Sequence, residues 1–176
     1  MRSFMHNIIH TITAIGVVAV CSSCGAITEE LPTYEETSII AVGDSAPDFT
    51  TTLINGSDIT LSELRGQVVL LVFFSHTCPD CKALFNDMSA AKSDFEESKV
   101  GVLAISRGGE ENEIREYISS NKYWFDTAVD STKEIYNMYA TMYVPRTYLI
   151  NSEGTVIHTT IEYSESHVTD ILAAAN

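Results

Sequence analysis

The chain has 176 residues, 45% of them hydrophobic and 19% charged, which is enough apolar material for the core of one domain and excludes general disorder. It carries 10 basic and 24 acidic residues, for a formal net charge of −14. A surface this acidic repels phosphate backbones, so no nucleic-acid partner is expected.

The first 23 residues are typical of a secretory signal. Arg2 is the only charged residue among them, and residues 8–20 are almost wholly apolar or small. That apolar run is shorter than the roughly 18–20 residues that a membrane-spanning helix needs. The sequence therefore predicts a signal peptide over residues 1–23.

A small residue precedes a cysteine at Ser23–Cys24, and this pair resembles the lipobox of bacterial lipoproteins. In that motif the cysteine becomes the lipidated first residue of the mature chain, so the resemblance implies a lipid anchor at Cys24. The leucine usual three residues before the cysteine is absent, and Cys21 fits less well because Val20 is bulky. A plain signal peptide cut nearby and an uncleaved anchor are the alternatives.

The four cysteines form two CxxC pairs, Cys21/Cys24 and Cys78/Cys81. A zinc site built from both pairs is disfavoured, because 53 residues lie between Cys24 and Cys78 whereas ribbon-type sites have about 15–20. The first pair also lies at the end of a segment that we expect to be removed or acylated. No metal is expected.

We divide the rest into a flexible tether, residues 24–41, and one domain, residues 42–176. The tether is acidic, rich in threonine and without periodicity. The first half of the domain sequence predicts a strand at 48–54, a hairpin turn at 55–57, a capping box at 60–63 that opens a short helix, a buried strand at 68–74 and a helix at 79–98. A buried strand at 100–105 and a helix at 110–121 follow, and Ile114, Tyr117 and Ile118 of that helix are expected to face inward. The last part predicts a short strand at 125–129, a helix at 132–139, a strand at 146–150, a turn at 151–154, a strand at 155–161 and a helix at 165–174. Strands that alternate with helices predict a mixed α/β sheet covered on both faces.

The junction between the buried strand at 68–74 and the following helix is the candidate site of chemistry. Cys78 lies at the predicted helix start, and Pro79 takes the first helical position, where a missing N–H has no cost. Free backbone N–H groups and the helix dipole favour a thiolate at Cys78. Cys81 is expected behind it, at a spacing that allows one thiol to attack and the other to resolve. Two buried inert thiols, or half of a metal site, are the alternatives.

Five stretches of the sequence carry a resemblance to a known family, namely residues 42–49, 61–74, 78–81, 100–139 and 143–154. Together they resemble the thioredoxin superfamily, and within it the periplasmic, membrane-tethered TlpA/ResA-like thiol–disulfide oxidoreductases of the AhpC/TSA–redoxin type. The resemblance implies a thioredoxin-like three-layer α/β sandwich, with a mixed central sheet flanked by helices and an inserted strand–helix unit over residues 100–139.

The same resemblance implies roles for individual residues. Cys78 and Cys81 would be the catalytic dithiol, which carries the electrons itself, so that no other cofactor is needed. Pro145 would be cis and face the dithiol, and the backbone of Val144 would pair with a bound substrate chain. An ordinary trans proline at the start of an edge strand is the alternative for Pro145.

The sequence departs from this family at positions next to the dithiol. Thr77 stands where a tryptophan usually precedes the first cysteine. Val72 and Leu84 stand at the two positions where relatives carry an acid that accepts the proton of the second cysteine. Both usual proton acceptors for Cys81 are therefore missing.

Two polar residues remain as candidates for adjusting the acidity of the thiols. Asp80 lies between the two cysteines, and the alternative for it is a solvated acid that suits the first turn of the helix. His76 stabilises the Cys78 thiolate if it is protonated, and the alternative for it is an exposed loop histidine.

The expected function is the reduction of disulfides in exported proteins, in cytochrome c maturation or in the redox homeostasis of the cell envelope. Electrons would come from a membrane thiol donor to a monomer that is lipid-anchored and faces the periplasm or the exterior. A peroxiredoxin-like peroxidase is one alternative. Ser75 lies three residues before Cys78, but Leu71 stands where such an enzyme has a proline. A non-catalytic binding module is the other alternative, and two intact cysteines argue against it.

Overall fold

The structure, a computed structural model, describes residues 31–176. The predicted signal peptide and Cys21 and Cys24 lie outside the described residues. The described elements are β1 (Thr50–Thr52), β2 (Asp58–Thr60), a 3-10 helix (Leu61–Leu64), β3 (Val68–Phe74), α1 (Pro79–Ala90), α2 (Lys92–Glu97), β4 (Val100–Ser106), α3 (Glu111–Asn121), β5 (Asp126–Val129), α4 (Glu134–Tyr139), β6 (Arg146–Ile150), β7 (Val156–Ile161) and α5 (His167–Ala175).

Five strands form one mixed sheet in the order β5-β4-β3-β6-β7. The central strand, β3, runs parallel to β4 and antiparallel to β6. Its residues from Val69 to Phe74 are all buried, because side chains on both faces of a central strand must be covered. The seven consecutive apolar residues thus predicted this strand correctly.

The two faces of β3 contribute to two separate apolar clusters. Leu70, Val72 and Phe74 point into one cluster, which contains buried side chains of α1, α2, α3 and α5. Leu71 and Phe73 point into the other, with the 3-10 helix and two tyrosines of α4. Helices on both faces of a mixed sheet confirm the predicted thioredoxin-like α/β sandwich.

Two local predictions differ from the structure. The predicted helix over 79–98 is two helices, because Ala91 leaves the helical conformation at φ −91° and ψ 18°. The predicted capping box is wrong, since Thr60 makes no capping hydrogen bond and precedes a 3-10 helix. Thr60 is instead the last residue of β2, and its hydroxyl lies 3.0 Å from that of Thr50 on the neighbouring strand.

Residues 32–41, which we name the strap, contact the domain although the sequence predicted a flexible tether there. The backbone N–H groups of Ile39 and Ile40 donate to the carbonyl of Tyr139, and Ser38 pairs with Ala140. The strap belongs to the compact unit that spans Pro32–Asn176.

The guanidinium of Arg146 holds the strap to the start of β6. Arg146 is 1% exposed, and it donates to the hydroxyls of Thr37 and Ser38 at 2.6 and 2.7 Å. It also donates to the carbonyl of Met142 at 2.7 Å, so one buried cation links the strap to the loop that precedes β6.

No helix within residues 31–176 is both long enough and apolar enough to cross a membrane.

Candidate active site

Cys78 caps the N-terminus of α1, directly after the loop that leaves β3. Pro79 takes the first helical position, and the backbone N–H of Cys81 donates to the Cys78 sulfur at 3.4 Å. Both cysteines are free thiols, with Cys78 partly exposed and Cys81 fully buried. The helix start therefore presents the first thiol outward and holds the second behind it, which is the arrangement that the sequence predicted.

Cys81 lies in an apolar environment. Burial raises the pKa of the Cys81 thiol well above its ordinary value, since a charged sulfur is poorly solvated there. The backbone N–H of Ser75, 3.5 Å from the sulfur, acts in the opposite direction. Cys81 is consequently a thiol at neutral pH, and it must lose a proton before it can act as a nucleophile.

The loop before β6 lies against the Cys78 sulfur. The Val144–Pro145 peptide bond is cis, as the resemblance predicted, and the Cys78 thiol donates to the carbonyl of Val144 at 3.5 Å. Val144 is partly exposed and Pro145 is buried. The hydroxyl of Tyr136 supports this loop by donating to the carbonyl of Tyr143 at 2.8 Å.

His76 faces α3. Its Nε2 atom lies 3.9 Å from the carboxylate of Glu113, and its ring centroid lies 6.2 Å from that of Tyr117 in an edge arrangement. Among the described residues, the two sulfurs accept hydrogen bonds from main-chain N–H groups and donate one to a main-chain carbonyl, and His76 takes part in none of these hydrogen bonds. The predicted support of the Cys78 thiolate by His76 stays a prediction.

Asp80 is exposed in the first turn of α1. Its negative charge adds a small contribution to the raised pKa of Cys81, so the carboxylate opposes a thiolate at that position. Val72 and Leu84, at the positions of the two missing acids, are fully buried in the apolar cluster.

Tyr117 lies on α3 beside Phe74 and His76. Its inward direction on α3 followed from its spacing to Ile114, which indicated a core side chain. The ring stacks on Phe74, with centroids 6.3 Å apart, and the residue packs against the apolar cluster that contains Cys81.

Residues 42–159 match the AhpC/TSA family. The chain belongs to this family. Among curated relatives of this AhpC/TSA-family chain, Thiol-disulfide oxidoreductase ResA of Bacillus subtilis (strain 168) is 29% identical over 145 residues, which cover 82% of this chain and 80% of the relative. The predicted family resemblance is thereby confirmed.

Solved structures share the fold. A Bacteroides thetaiotaomicron protein described as a protein disulfide isomerase is 26% identical, with a TM-score of 0.72 over 78% of this chain and 89% of that one. Peroxidoxin BcpB of Mycobacterium tuberculosis is 17% identical, with a TM-score of 0.69 over 77% of this chain and 96% of that one. At that identity, the likeness to the peroxidoxin concerns the fold alone.

Proposed function

We propose that Cys78 and Cys81 are the redox pair of this thiol–disulfide oxidoreductase and that they reduce disulfides in exported proteins. The observation that carries the proposal is the placement of the partly exposed Cys78 sulfur at a helix start, 3.5 Å from the carbonyl of Val144, with the buried Cys81 thiol behind it. The names of curated relatives support the class of activity.

The reaction proceeds in two exchanges. The Cys78 thiolate attacks a substrate disulfide, forms a mixed disulfide and releases one substrate thiolate, which takes up a proton from water. Cys81 then loses its proton and attacks the Cys78 sulfur. The second substrate thiolate leaves, and the Cys78–Cys81 disulfide remains until a membrane thiol donor returns two electrons.

The loop at Val144 and Pro145 supplies the substrate-binding surface. Val144 is partly exposed beside the Cys78 sulfur, so its main-chain groups can pair with an extended substrate chain. Pro145 has no N–H and therefore presents no competing donor at this point.

The direction of electron flow depends on how well the fold stabilises the reduced pair. No lysine or arginine occurs between residues 66 and 81, and Asp80 and a net charge of −14 both disfavour thiolates. We therefore expect a potential nearer to that of thioredoxin, about −270 mV, than to that of DsbA, about −120 mV. Equilibration of the purified chain with glutathione buffers measures it. A potential above about −180 mV, near that of protein disulfide isomerase, would contradict a reductase.

A peroxidase is the competing function, because Ser75 lies three residues before the partly exposed Cys78. Two observations weigh against it. Leu71 is fully buried in β3 at the position where such an enzyme has a proline, and the Ser75 hydroxyl lies 3.0 Å from that of Thr77. Consumption of hydrogen peroxide by the reduced chain, compared with its reduction of insulin, distinguishes the two activities and also a non-catalytic binding module.

We propose that the protein acts at the cell envelope, as a monomer with a lipid on Cys24. Cys24→Ser should move the protein from the membrane fraction to the soluble fraction, because a serine at position 24 cannot carry the acyl chains that anchor the protein. Fractionation and intact-mass analysis of the native protein measure this, and Cys21→Ser is the matched control. A free Cys24 thiol in the native protein would refute the anchor.

A further inference from the structure

The loop that we assign to substrate binding lies between two residues in the left-handed backbone conformation. Tyr143, which precedes Val144, has a φ of 70°, and Glu162, which directly follows β7, has a φ of 61°. The N–H of Glu162 donates to the carbonyl of Pro145 at 2.8 Å. This conformation is costly for a residue with a large side chain and persists where the surrounding contacts impose it. The contacts of Tyr143 and Glu162 therefore decide where the loop lies.

The strap contacts both of these residues. The hydroxyl of Tyr143 donates to the carbonyl of Pro32 at 2.6 Å. The ring of Tyr143 meets that of Tyr34 in an edge arrangement, with centroids 5.1 Å apart, and the Tyr34 hydroxyl donates to the carboxylate of Glu162. The strap is thus bonded to the residue before the Val144–Pro145 dipeptide and to the residue that pairs with its proline.

The remainder of the domain holds the same loop through its main chain. The hydroxyl of Tyr136 donates to the carbonyl of Tyr143 at 2.8 Å, and the guanidinium of Arg146 donates to that of Met142 at 2.7 Å. The side chain of Tyr143 is bonded to the strap instead. Because the next residue, Val144, places its carbonyl 3.5 Å from the Cys78 sulfur, a rotation at Tyr143 would move the main-chain groups that lie beside the reacting sulfur.

We propose that Tyr34 and Tyr143 form a clamp that holds the Val144 main chain in position for a peptide substrate. The inference rests on the proposed function. Both tyrosines are positioning residues, because they act through Val144 and take no part in the thiol–disulfide exchange. A substrate that pairs with the Val144 main chain depends on the clamp, whereas a small disulfide without peptide groups needs only access to Cys78.

The reduction of two disulfides by the reduced chain tests this difference. Insulin has peptide groups around its disulfides, and bis(2-hydroxyethyl) disulfide has none. Tyr143→Phe and Tyr34→Phe should each lower the second-order rate constant for insulin about fivefold, which is the effect of one hydrogen bond. The rate constant for bis(2-hydroxyethyl) disulfide should stay within twofold of that of the unaltered chain.

The chain offers a matched control for each variant. The hydroxyl of Tyr139 also donates to a proline carbonyl, that of Pro47, at 2.6 Å, so Tyr139→Phe is the control for Tyr143→Phe. The hydroxyl of Tyr163 also donates to a carboxylate, that of Asp87, at 2.7 Å, so Tyr163→Phe is the control for Tyr34→Phe. Both controls should reduce insulin within twofold of the unaltered rate, because these hydroxyls bond to groups outside the clamp.

Hydrogen exchange at the Glu162 N–H measures the position of the loop without any reaction at the sulfurs. This N–H donates to the Pro145 carbonyl in the folded chain, so a loop that moves away leaves it open to exchange. Tyr143→Phe and Tyr34→Phe should each speed its exchange about fivefold. The two control variants should leave it unchanged.

The outcomes separate the clamp from the function on which it rests. An insulin rate within twofold of that of the unaltered chain in either Tyr143→Phe or Tyr34→Phe overturns the clamp, as does unchanged exchange at Glu162. Equal losses with insulin and bis(2-hydroxyethyl) disulfide also overturn it, because the variants would then act on Cys78 and not on the peptide-binding main chain. If the unaltered chain reduces neither disulfide, the proposed function itself is wrong, and the exchange at Glu162 still tests the hold of the strap on the loop.

Discussion

Cys81→Ser should trap substrates as mixed disulfides, whereas Cys78→Ser should trap few. The reason is the unequal placement of the two sulfurs, since Cys78 is partly exposed beside the Val144 carbonyl and Cys81 is fully buried. Without Cys81, a substrate attacked by Cys78 has no resolving thiol and stays attached. Non-reducing gels after rapid alkylation measure the trapped fraction.

Both variants should lose insulin-reduction activity. Cys81→Ser loses it because the mixed disulfide at Cys78 is not resolved. In Cys78→Ser the remaining thiol is the buried one, whose pKa burial raises. Each unit by which a pKa exceeds the ambient pH lowers the thiolate fraction about tenfold, so we expect the rate to fall by about 100-fold or more. Ser75→Ala, which keeps both thiols and the main-chain donor to Cys81, is the matched control. Trapping through Cys81 in place of Cys78 would reverse the assignment.

The centre of the site could be predicted from the sequence because its determinants are local. An unbroken apolar run before a CxxC motif fixes a buried strand, a turn and a helix start, and the structure has β3 and α1 at those residues. The cis bond at Pro145 followed from the family resemblance and not from the residues alone. A lone proline before a strand favours the trans form.

The strap could not be predicted in the same way, because its contacts join segments that are far apart in the sequence. The strap is held through hydroxyl and carbonyl groups of residues with no periodic pattern, such as Thr37. Thr60 shows the converse case. It matched a local capping pattern, but its hydroxyl pairs with Thr50 across a hairpin, so a tertiary contact replaced the local one.

Arg146→Met should lower the free energy of unfolding by about 2 kcal/mol, because the hydrogen bonds of a charged group are lost and their acceptors lose their donor. The three acceptors are the hydroxyls of Thr37 and Ser38 and the carbonyl of Met142. Replacement of a buried cation by an apolar side chain recovers part of that loss, since Met needs no solvation. The Thr37 hydroxyl also keeps its own acceptors in the strap. Because of these two effects, the expected loss of unfolding free energy is smaller than the summed contribution of three hydrogen bonds to a charged group.

The same substitution should release the strap before the domain unfolds. Residues 32–41 contain Glu35 and Glu36, so glutamyl endopeptidase should cut Arg146→Met there faster than the unaltered chain under native conditions. Urea unfolding gives the stability loss. Arg115→Met is the matched control, because Arg115 also donates to a main-chain carbonyl, that of Ile54, but lies on an exposed helix face and pairs there with Glu111. An exposed ion pair of this kind contributes about 0–1 kcal/mol. Equal losses in both variants, or unchanged cleavage of the strap in Arg146→Met, would show that the buried guanidinium does not hold the strap to the loop that carries Val144 and Pro145.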